Sequence, residues 1–128
     1  HMPWLYVVPD SLYWGIRHVS QTLNRPDLKV FISENGCAAQ DQLTERGEVI
    51  DLDRIHYLKH YLQTAHRAVS EGYPLMGYFL WSLLDNFEWA YGYDRRFGIT
   101  YVDYRTQQRI PKASFHWYGH CILENRIV

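Results

Sequence analysis

The fold is decided by the stretch Lys29-Val30-Phe31-Ile32-Ser33-Glu34-Asn35-Gly36. Its three consecutive apolar residues predict a short strand over residues 29–33, covered on both sides as strands of parallel sheets are. Glu34 follows this strand, and Gly36 is free to turn the backbone sharply away. The stretch therefore predicts a carboxylate held at the end of a buried strand, although on position alone such a Glu more often caps the next loop or pairs with an arginine.

Helical patterns lie on both sides of this strand. Residues 11–23 are predicted to form a helix that ends at Asn24. A longer helix, capped by Asp51 or Asp53, is predicted to end at Gly72. The spacing places apolar residues on one face of each helix, namely Leu12, Ile16, Val19 and Leu23 in the first and Ile55, Leu58, Leu62, Ala65 and Val69 in the second.

The rest of the chain adds a second unit of the same kind. A covered strand is predicted over residues 76–81, a small hairpin over residues 98–109 and a last helix over residues 112–123. The order is that of two βα units preceded by a helix. In barrels of such units the catalytic groups lie at the carboxyl ends of the strands, and Glu34 and Trp81 both lie there.

Length and composition indicate one globular domain or a piece of one. The chain has 128 residues, which is half of the roughly 250 that a complete eight-stranded β/α barrel needs. Hydrophobic residues make up 47% of the chain and aromatic residues 16%, so a disordered chain is excluded. His1 and Met2 are interpreted as a scar of expression and residues 3–128 as the domain.

Charge and hydropathy argue against two classes of partner. Thirteen Lys and Arg residues against fourteen Asp and Glu residues give a formal net charge of −1 without a basic block, so no nucleic acid partner is expected. The longest apolar run, residues 75–84, is about half of the length that a membrane-spanning helix requires. No membrane segment is therefore expected.

The candidate metal ligands form no convincing set. Cys37 and Cys121 stand far apart and are interpreted as reduced thiols of a cytoplasmic protein, with a single disulfide as the alternative. His56 and His60 lie four residues apart on one helix face, as zinc ligands sometimes do, but a third ligand is missing. They are interpreted as surface or packing residues, and no metal or cofactor is expected.

Aromatic rings and carboxylates concentrate between residues 78 and 104. A pyranose has apolar faces and a rim of hydroxyl groups, so a tryptophan can cover a face while a carboxylate accepts hydrogen bonds from the rim. Taken singly, Trp81 and Phe87 would be core residues and Glu88 a solvated one. Their concentration favours a sugar-binding site.

These motifs resemble those of glycoside hydrolase family one, the β-glucosidase family, from about residue 4 to residue 118. Residues 33–36 are similar to the nucleophile motif at the end of the seventh barrel strand, with Ser33 where Thr is commoner. Residues 77–89 resemble the eighth strand and its sugar-binding loop. The resemblance implies an α/β fold, the C-terminal fragment of a TIM (β/α)8 barrel with about its last two βα units. Its elements would be helix six, strand seven, helix seven, strand eight, a hairpin and helix eight.

The resemblance also implies a role for each site residue of a retaining β-glucosidase. Glu34 would be the catalytic nucleophile, and Trp81 would form the floor of the glycone subsite. Glu88 would bind hydroxyl groups 4 and 6, Trp89 would donate its N–H to hydroxyl 3, and Phe97 would line the same pocket. Because Glu88 would repel a 6-phosphate, the expected substrates are unphosphorylated β-glucosides, with fucosides or galactosides as secondary substrates.

The second catalytic carboxylate is absent from this sequence. A retaining glycosidase needs an acid/base about 5–5.5 Å from its nucleophile, and the family carries it in a Thr-x-Asn-Glu-Pro motif that does not occur here. Nothing gives Glu48, Asp85 or Glu88 a position at the leaving group. The chain alone is therefore expected to be inactive. Its expected partner is the complementary N-terminal portion of the barrel, or further copies that associate through open strand edges.

Two alternatives from other functional classes stay open at this point. One is a carbohydrate-binding module that uses Trp81, Glu88 and Trp89 without hydrolysis. The other is a purely structural fragment whose open strand edges drive self-association.

Overall fold

The computed structural model describes residue 2 and residues 5–128. In chain order it contains α1 (Asp10–Leu23), β1 (Val30–Asn35), α2 (Leu52–Ser70), β2 (Leu75–Leu80), a 3-10 turn (Trp89–Tyr91), β3 (Thr100–Val102), β4 (Arg109–Pro111) and α3 (Ala113–Glu124). Each predicted helix and strand is present, with bounds shifted by at most two residues. Of the predicted scar, His1 lies outside the described residues, and Met2 is buried.

Strands β1 and β2 form a two-stranded parallel sheet. Phe31 lies opposite Gly77, and Asn35 lies opposite Leu80. The Trp81 N–H then donates to the Asn35 carbonyl at 2.9 Å. This register brings the carboxyl ends of the two strands to one edge, as expected for consecutive βα units. Strands β3 and β4 form the predicted hairpin.

Two apolar clusters hold the helices in place. One joins α1 to α2 through Tyr13, Ile16 and Ala68. The other joins α2 to the start of the hairpin through Tyr57, Leu58, Tyr61 and Ile99. No helix of the described residues is both long and apolar enough to cross a membrane.

The predicted helix faces are correct only near the middle of each helix. On α1, Ile16 is buried, but Val19 and Leu23 are 41% and 51% exposed. On α2, Leu58 is buried and Val69 is 51% exposed. Because Ala68, next to Val69, is fully buried, the buried face of α2 continues into its last turn, and Val69 lies beside that face.

The prediction that both strands are covered on two sides is wrong for this chain. Phe31, Met76 and Phe79 are 54%, 59% and 59% exposed. Val30, Ile32 and Leu75 contact the cluster between α1 and α2, so the described helices cover only one face of the sheet. An apolar run identifies a strand that suits two-sided cover, but it does not show which chain supplies the second layer.

The predicted helix cap is also different. Asp51 does precede α2, yet its side chain makes no cap hydrogen bond there. Its carboxylate instead accepts from the Ser114 N–H at 2.8 Å and from the Ser114 hydroxyl at 2.5 Å. Asp51 therefore caps the first turn of α3. Asp53 accepts from the Arg54 N–H at 2.9 Å.

Candidate active site

A cavity of about 240 Å³ lies at the carboxyl ends of β1 and β2. It is lined by Leu5, Glu34, Asn35, Gly36, Trp81, Glu88, Trp89 and Phe97. All five residues that the sequence assigns to the site lie on this one cavity, although they come from three separate segments of the chain. We refer to it below as the rim cavity.

Glu34 is the penultimate residue of β1, whereas the sequence predicted that it would follow the strand. Its side chain is exposed, and within the described part of the chain no hydrogen bond or ion pair engages its carboxylate. The alternatives in which Glu34 pairs with an arginine or caps a loop are therefore not what the structure shows. The carboxylate is free to meet a molecule in the rim cavity.

Two tyrosines hold the side chain of Asn35, the residue next to Glu34. The Asn35 amide donates to the Tyr57 hydroxyl at 3.1 Å, and the Tyr78 hydroxyl donates to the Asn35 carbonyl oxygen of the side chain at 2.6 Å. Burial raises the pKa of both Tyr57 and Tyr78, so both hydroxyl groups stay protonated near neutral pH. The sequence analysis missed this brace because no short motif links a helix tyrosine to a strand tyrosine.

Gly36 has a different function from the one predicted. Its backbone is not among those with positive φ, so no unusual turn requires a glycine here. A Cβ atom at this position would instead lie 1.6 Å from the Trp81 carbonyl oxygen. Glycine is required because the backbone after β1 passes directly against the backbone after β2, which brings Glu34 and Trp81 together.

The other four predicted residues, Trp81, Glu88, Trp89 and Phe97, form an aromatic and acidic wall of the same cavity. Trp81 is 37% exposed, Trp89 is 84% exposed and Phe97 is 6% exposed. The Trp81–Ser82 peptide bond is cis. Phe97 is thus the buried member of this lining, while Trp89 extends into the solvent. An aromatic wall that faces a carboxylate is the arrangement that a sugar ring needs.

Behind this wall lies a cluster of buried ionised side chains that the sequence analysis did not identify. Its three acids and three bases, which balance in charge, are Asp41, Asp51, Asp85, Arg54, Arg96 and Lys112. Burial raises the pKa of Asp41, but the hydrogen bonds and charge of Arg54, joined by Lys112, outweigh it and hold that pKa below its usual range. Paired buried charges of this kind are costly to disrupt, since removal of one partner leaves the other uncompensated.

A second cavity of about 760 Å³ lies beside α2. Cys37, His56 and His60 are among its lining residues. The two histidine rings lie 6.3 Å apart, and no group of three metal-type ligands occurs among the described residues. Cys37 and Cys121 are both free. Burial raises the pKa of the Cys37 thiol to about 11.

The sequence matches the family model described as Glycosyl hydrolase family 1 over residues 1–127. The chain is a member of glycosyl hydrolase family 1. Among curated relatives in this family, Beta-glucosidase A of Thermotoga maritima is 51% identical over 93% of this chain, and the match spans 26% of that relative. The Bifunctional beta-D-glucosidase/beta-D-fucosidase of Bifidobacterium breve is 44% identical over 91% of this chain and 26% of the relative.

Solved structures of family 1 members agree with these matches. The β-glucosidase from Thermotoga maritima in complex with glucoimidazole superimposes with a TM-score of 0.90 and 51% identity over 94% of this chain and 27% of that chain. The chain thus spans about a quarter of the family 1 proteins it matches. The predicted fold class, a fragment of a TIM barrel, is confirmed. The roles of Glu34 and the sugar-binding residues stay predictions.

Proposed function

We propose that this chain supplies the catalytic nucleophile and part of the glycone subsite of a retaining β-glucosidase. The substrates would be unphosphorylated β-glucosides cleaved at their terminal, non-reducing β-D-glucosyl residue, with fucosides or galactosides as secondary substrates. The observation that carries the proposal is the rim cavity, where an unpaired Glu34 faces Trp81, Glu88 and Trp89. The names of the curated relatives support the same class of substrate.

The reaction proceeds in two displacements. The Glu34 carboxylate attacks the anomeric carbon, the bond from that carbon to the aglycone oxygen breaks, and the leaving oxygen takes a proton from an acid. Water then attacks the same carbon, gives its proton to the conjugate base of that acid, and releases Glu34. The acid/base group is not in the sequence of this chain, so the chain alone carries half of the catalytic pair.

The cavity suits a single sugar ring held by its face and its rim. Its volume of about 240 Å³ lies below the ~300–1,000 Å³ of pockets that enclose drug-sized ligands. Trp81 presents an aromatic surface, and Glu88 presents a carboxylate that can accept hydrogen bonds from hydroxyl groups. A phosphate at position 6 of the sugar would meet the negative charge of Glu88, which supports the unphosphorylated class.

We further propose that the partner of this chain is the N-terminal portion of the same barrel. The open face of the sheet carries Phe31 and Phe79, both more than half exposed. Contiguous exposed apolar surface of this kind marks an interaction site. Self-association through the same face is the competing outcome, and light scattering of the isolated chain would distinguish a monomer from an oligomer.

The decisive experiment is reconstitution. The upstream portion of Thermotoga maritima Beta-glucosidase A, ending where the match to this chain begins, is joined to the 128-residue chain, and hydrolysis of an aryl β-glucoside is measured. The isolated chain should show no turnover, because the proton donor is missing. The joined barrel should be active, and Glu34→Gln should lower its kcat roughly a thousandfold or more, as loss of a nucleophile does.

Glu45→Gln is the matched control, since Glu45 is exposed in the loop after β1 and does not line the rim cavity. This variant should keep full activity. Turnover by the isolated chain that Glu34→Gln abolishes would refute the division of the catalytic pair. Glucose titration of the isolated chain, followed by tryptophan fluorescence, tests the binding-module alternative. Fluorescence that does not change with glucose concentration would contradict that alternative.

A further inference from the structure

Lys112 is the most deeply placed cation of the buried cluster. Its side chain is fully buried. The ammonium donates to Asp41 at 2.5 Å, to Asp85 at 2.8 Å and to the Gly98 carbonyl at 2.6 Å. An ammonium has three protons, so each has one acceptor and the group holds a single position.

The three acceptors belong to the three segments that carry the five predicted site residues. Asp41 lies in the loop that follows β1 and Glu34. Asp85 lies between Trp81 and Glu88 in the loop that follows β2, and Gly98 is adjacent to Phe97. Lys112 itself immediately precedes α3. One side chain therefore connects all three walls of the cavity from outside it.

Asp85 joins the sugar-binding loop, in which it lies, to the segment that leads into β3. Besides Lys112, its carboxylate accepts from Arg96 at 2.6 Å, from the Gly98 N–H at 3.0 Å and from the Val102 N–H at 3.3 Å. A Cβ atom on Gly98 would lie 2.2 Å from the Asp85 nitrogen, so the two segments touch through their backbones.

Backbone hydrogen bonds then join this loop to the start of the hairpin. Ser82 donates to Phe97 at 3.2 Å, Ile99 donates to Ser82 at 2.9 Å, and Thr100 donates to Leu83 at 3.0 Å. The segment between Trp81 and Glu88 is consequently anchored at its centre, and its two ends carry the sugar-binding side chains.

We propose that Lys112 is a positioning residue that sets the distance between Glu34 and the loop that carries Trp81 and Glu88. It touches no substrate and acts through Asp85 and Asp41. The inference deepens the proposed function and rests on it for its consequence in catalysis. The placement of the loop by Lys112 can be tested without any activity.

The first test measures hydrogen exchange by mass spectrometry in the 128-residue chain and its Lys112→Met variant. Hydrogen bonds to charged groups account for enough stability that peptides covering residues 82–100 should exchange roughly ten- to a hundredfold faster in the variant. Peptides covering residues 30–33 of β1 should keep their protection. Lys59→Met is the matched control, since Lys59 is half-buried on α2 and lies outside the cluster, and it should leave residues 82–100 unchanged.

Asp85→Asn provides a milder version of the same test if Lys112→Met unfolds the whole chain. It keeps an acceptor for Lys112 but removes the charge. Local acceleration over residues 82–100 supports the proposal. Unchanged exchange in both variants, or acceleration that is uniform along the chain in both, overturns it.

The second test uses the reconstituted barrel and compares kcat/KM for an aryl β-glucoside and the matching aryl 6-deoxy-β-glucoside, which differ only in hydroxyl 6. A displaced loop withdraws Glu88 from hydroxyl 6, so Lys112→Met should lower the ratio of kcat/KM for the glucoside to kcat/KM for its 6-deoxy analogue by roughly tenfold. A residue that only stabilises the fold would lower both rates equally, and an unchanged ratio therefore overturns the positioning role. If the barrel with the unmodified chain is inactive, the proposed function fails, whereas the exchange result still decides whether Lys112 places the loop.

Discussion

Replacement of Gly36 by alanine tests the contact on which the rim cavity depends. The added Cβ would lie 1.6 Å from the Trp81 carbonyl oxygen, where ordinary contact begins at 3.4 Å. One of the two backbones must therefore move by about 1.8 Å. The hydrogen bond from the Trp81 N–H to the Asn35 carbonyl, 2.9 Å long, lies next to the clash and would be lost.

The expected cost follows from these two effects. Overpacking against atoms that cannot rotate away typically costs about 1–3 kcal/mol, and a lost backbone hydrogen bond adds about 1 kcal/mol. Gly36→Ala should therefore lower the free energy of unfolding by about 3 kcal/mol. Urea unfolding, followed by circular dichroism and tryptophan fluorescence, measures this change.

Gly15→Ala is the matched control. Nothing lies within 4 Å of a Cβ at Gly15, and the residue is inside helix α1, so alanine should raise stability by roughly 0.5–1 kcal/mol. If Gly36→Ala proves as stable as the unmodified chain while Gly15→Ala behaves as expected, the close approach of the two strand ends is not what requires a glycine.

Two further predictions concern titration. The lowered pKa of Asp41 means that its stabilisation is complete above the unfolded value of about 3.9 and is lost as the pH falls through the lower, folded value. Urea unfolding at pH 6 should thus give Asp41→Asn a much lower free energy of unfolding than the unmodified chain. The difference in free energy should narrow toward pH 2, and a difference that stays constant with pH would contradict the linkage. In the Cys121→Ser variant Cys37 is the single thiol, and burial raises its pKa to about 11. Its reaction with a disulfide reagent at pH 8 should therefore be on the order of a hundredfold slower in the folded chain than in urea. Equal rates in the two states would contradict the burial of this thiol.

The elements and the position of the site were predictable from local patterns. Apolar runs gave both strands of the parallel sheet, and helical spacing gave all three helices. Because parallel strands bring their carboxyl ends to one edge, the meeting of Glu34 and Trp81 followed from the order of the elements.

The support of the site was not predictable, because it depends on residues distant in sequence. Lys112 contacts Asp85 and Asp41 across separations of 27 and 71 residues. In a sequence these residues resemble ordinary solvated charges, and only the fold shows that they are buried and paired. The cytoplasmic location, the expression scar and the assignment of each element to a numbered position in the barrel stay predictions.

The contact of Asp51 with Ser114 has a consequence for the order of folding. Helix α3 lacks a side-chain cap of its own at Lys112 and takes one from a residue 63 positions earlier. As a separate peptide it would have to nucleate without that partner, and short helices are marginal in water. We therefore expect the isolated α3 segment to form little helix, and the last helix of this chain to gain its stability once the start of α2 is in place.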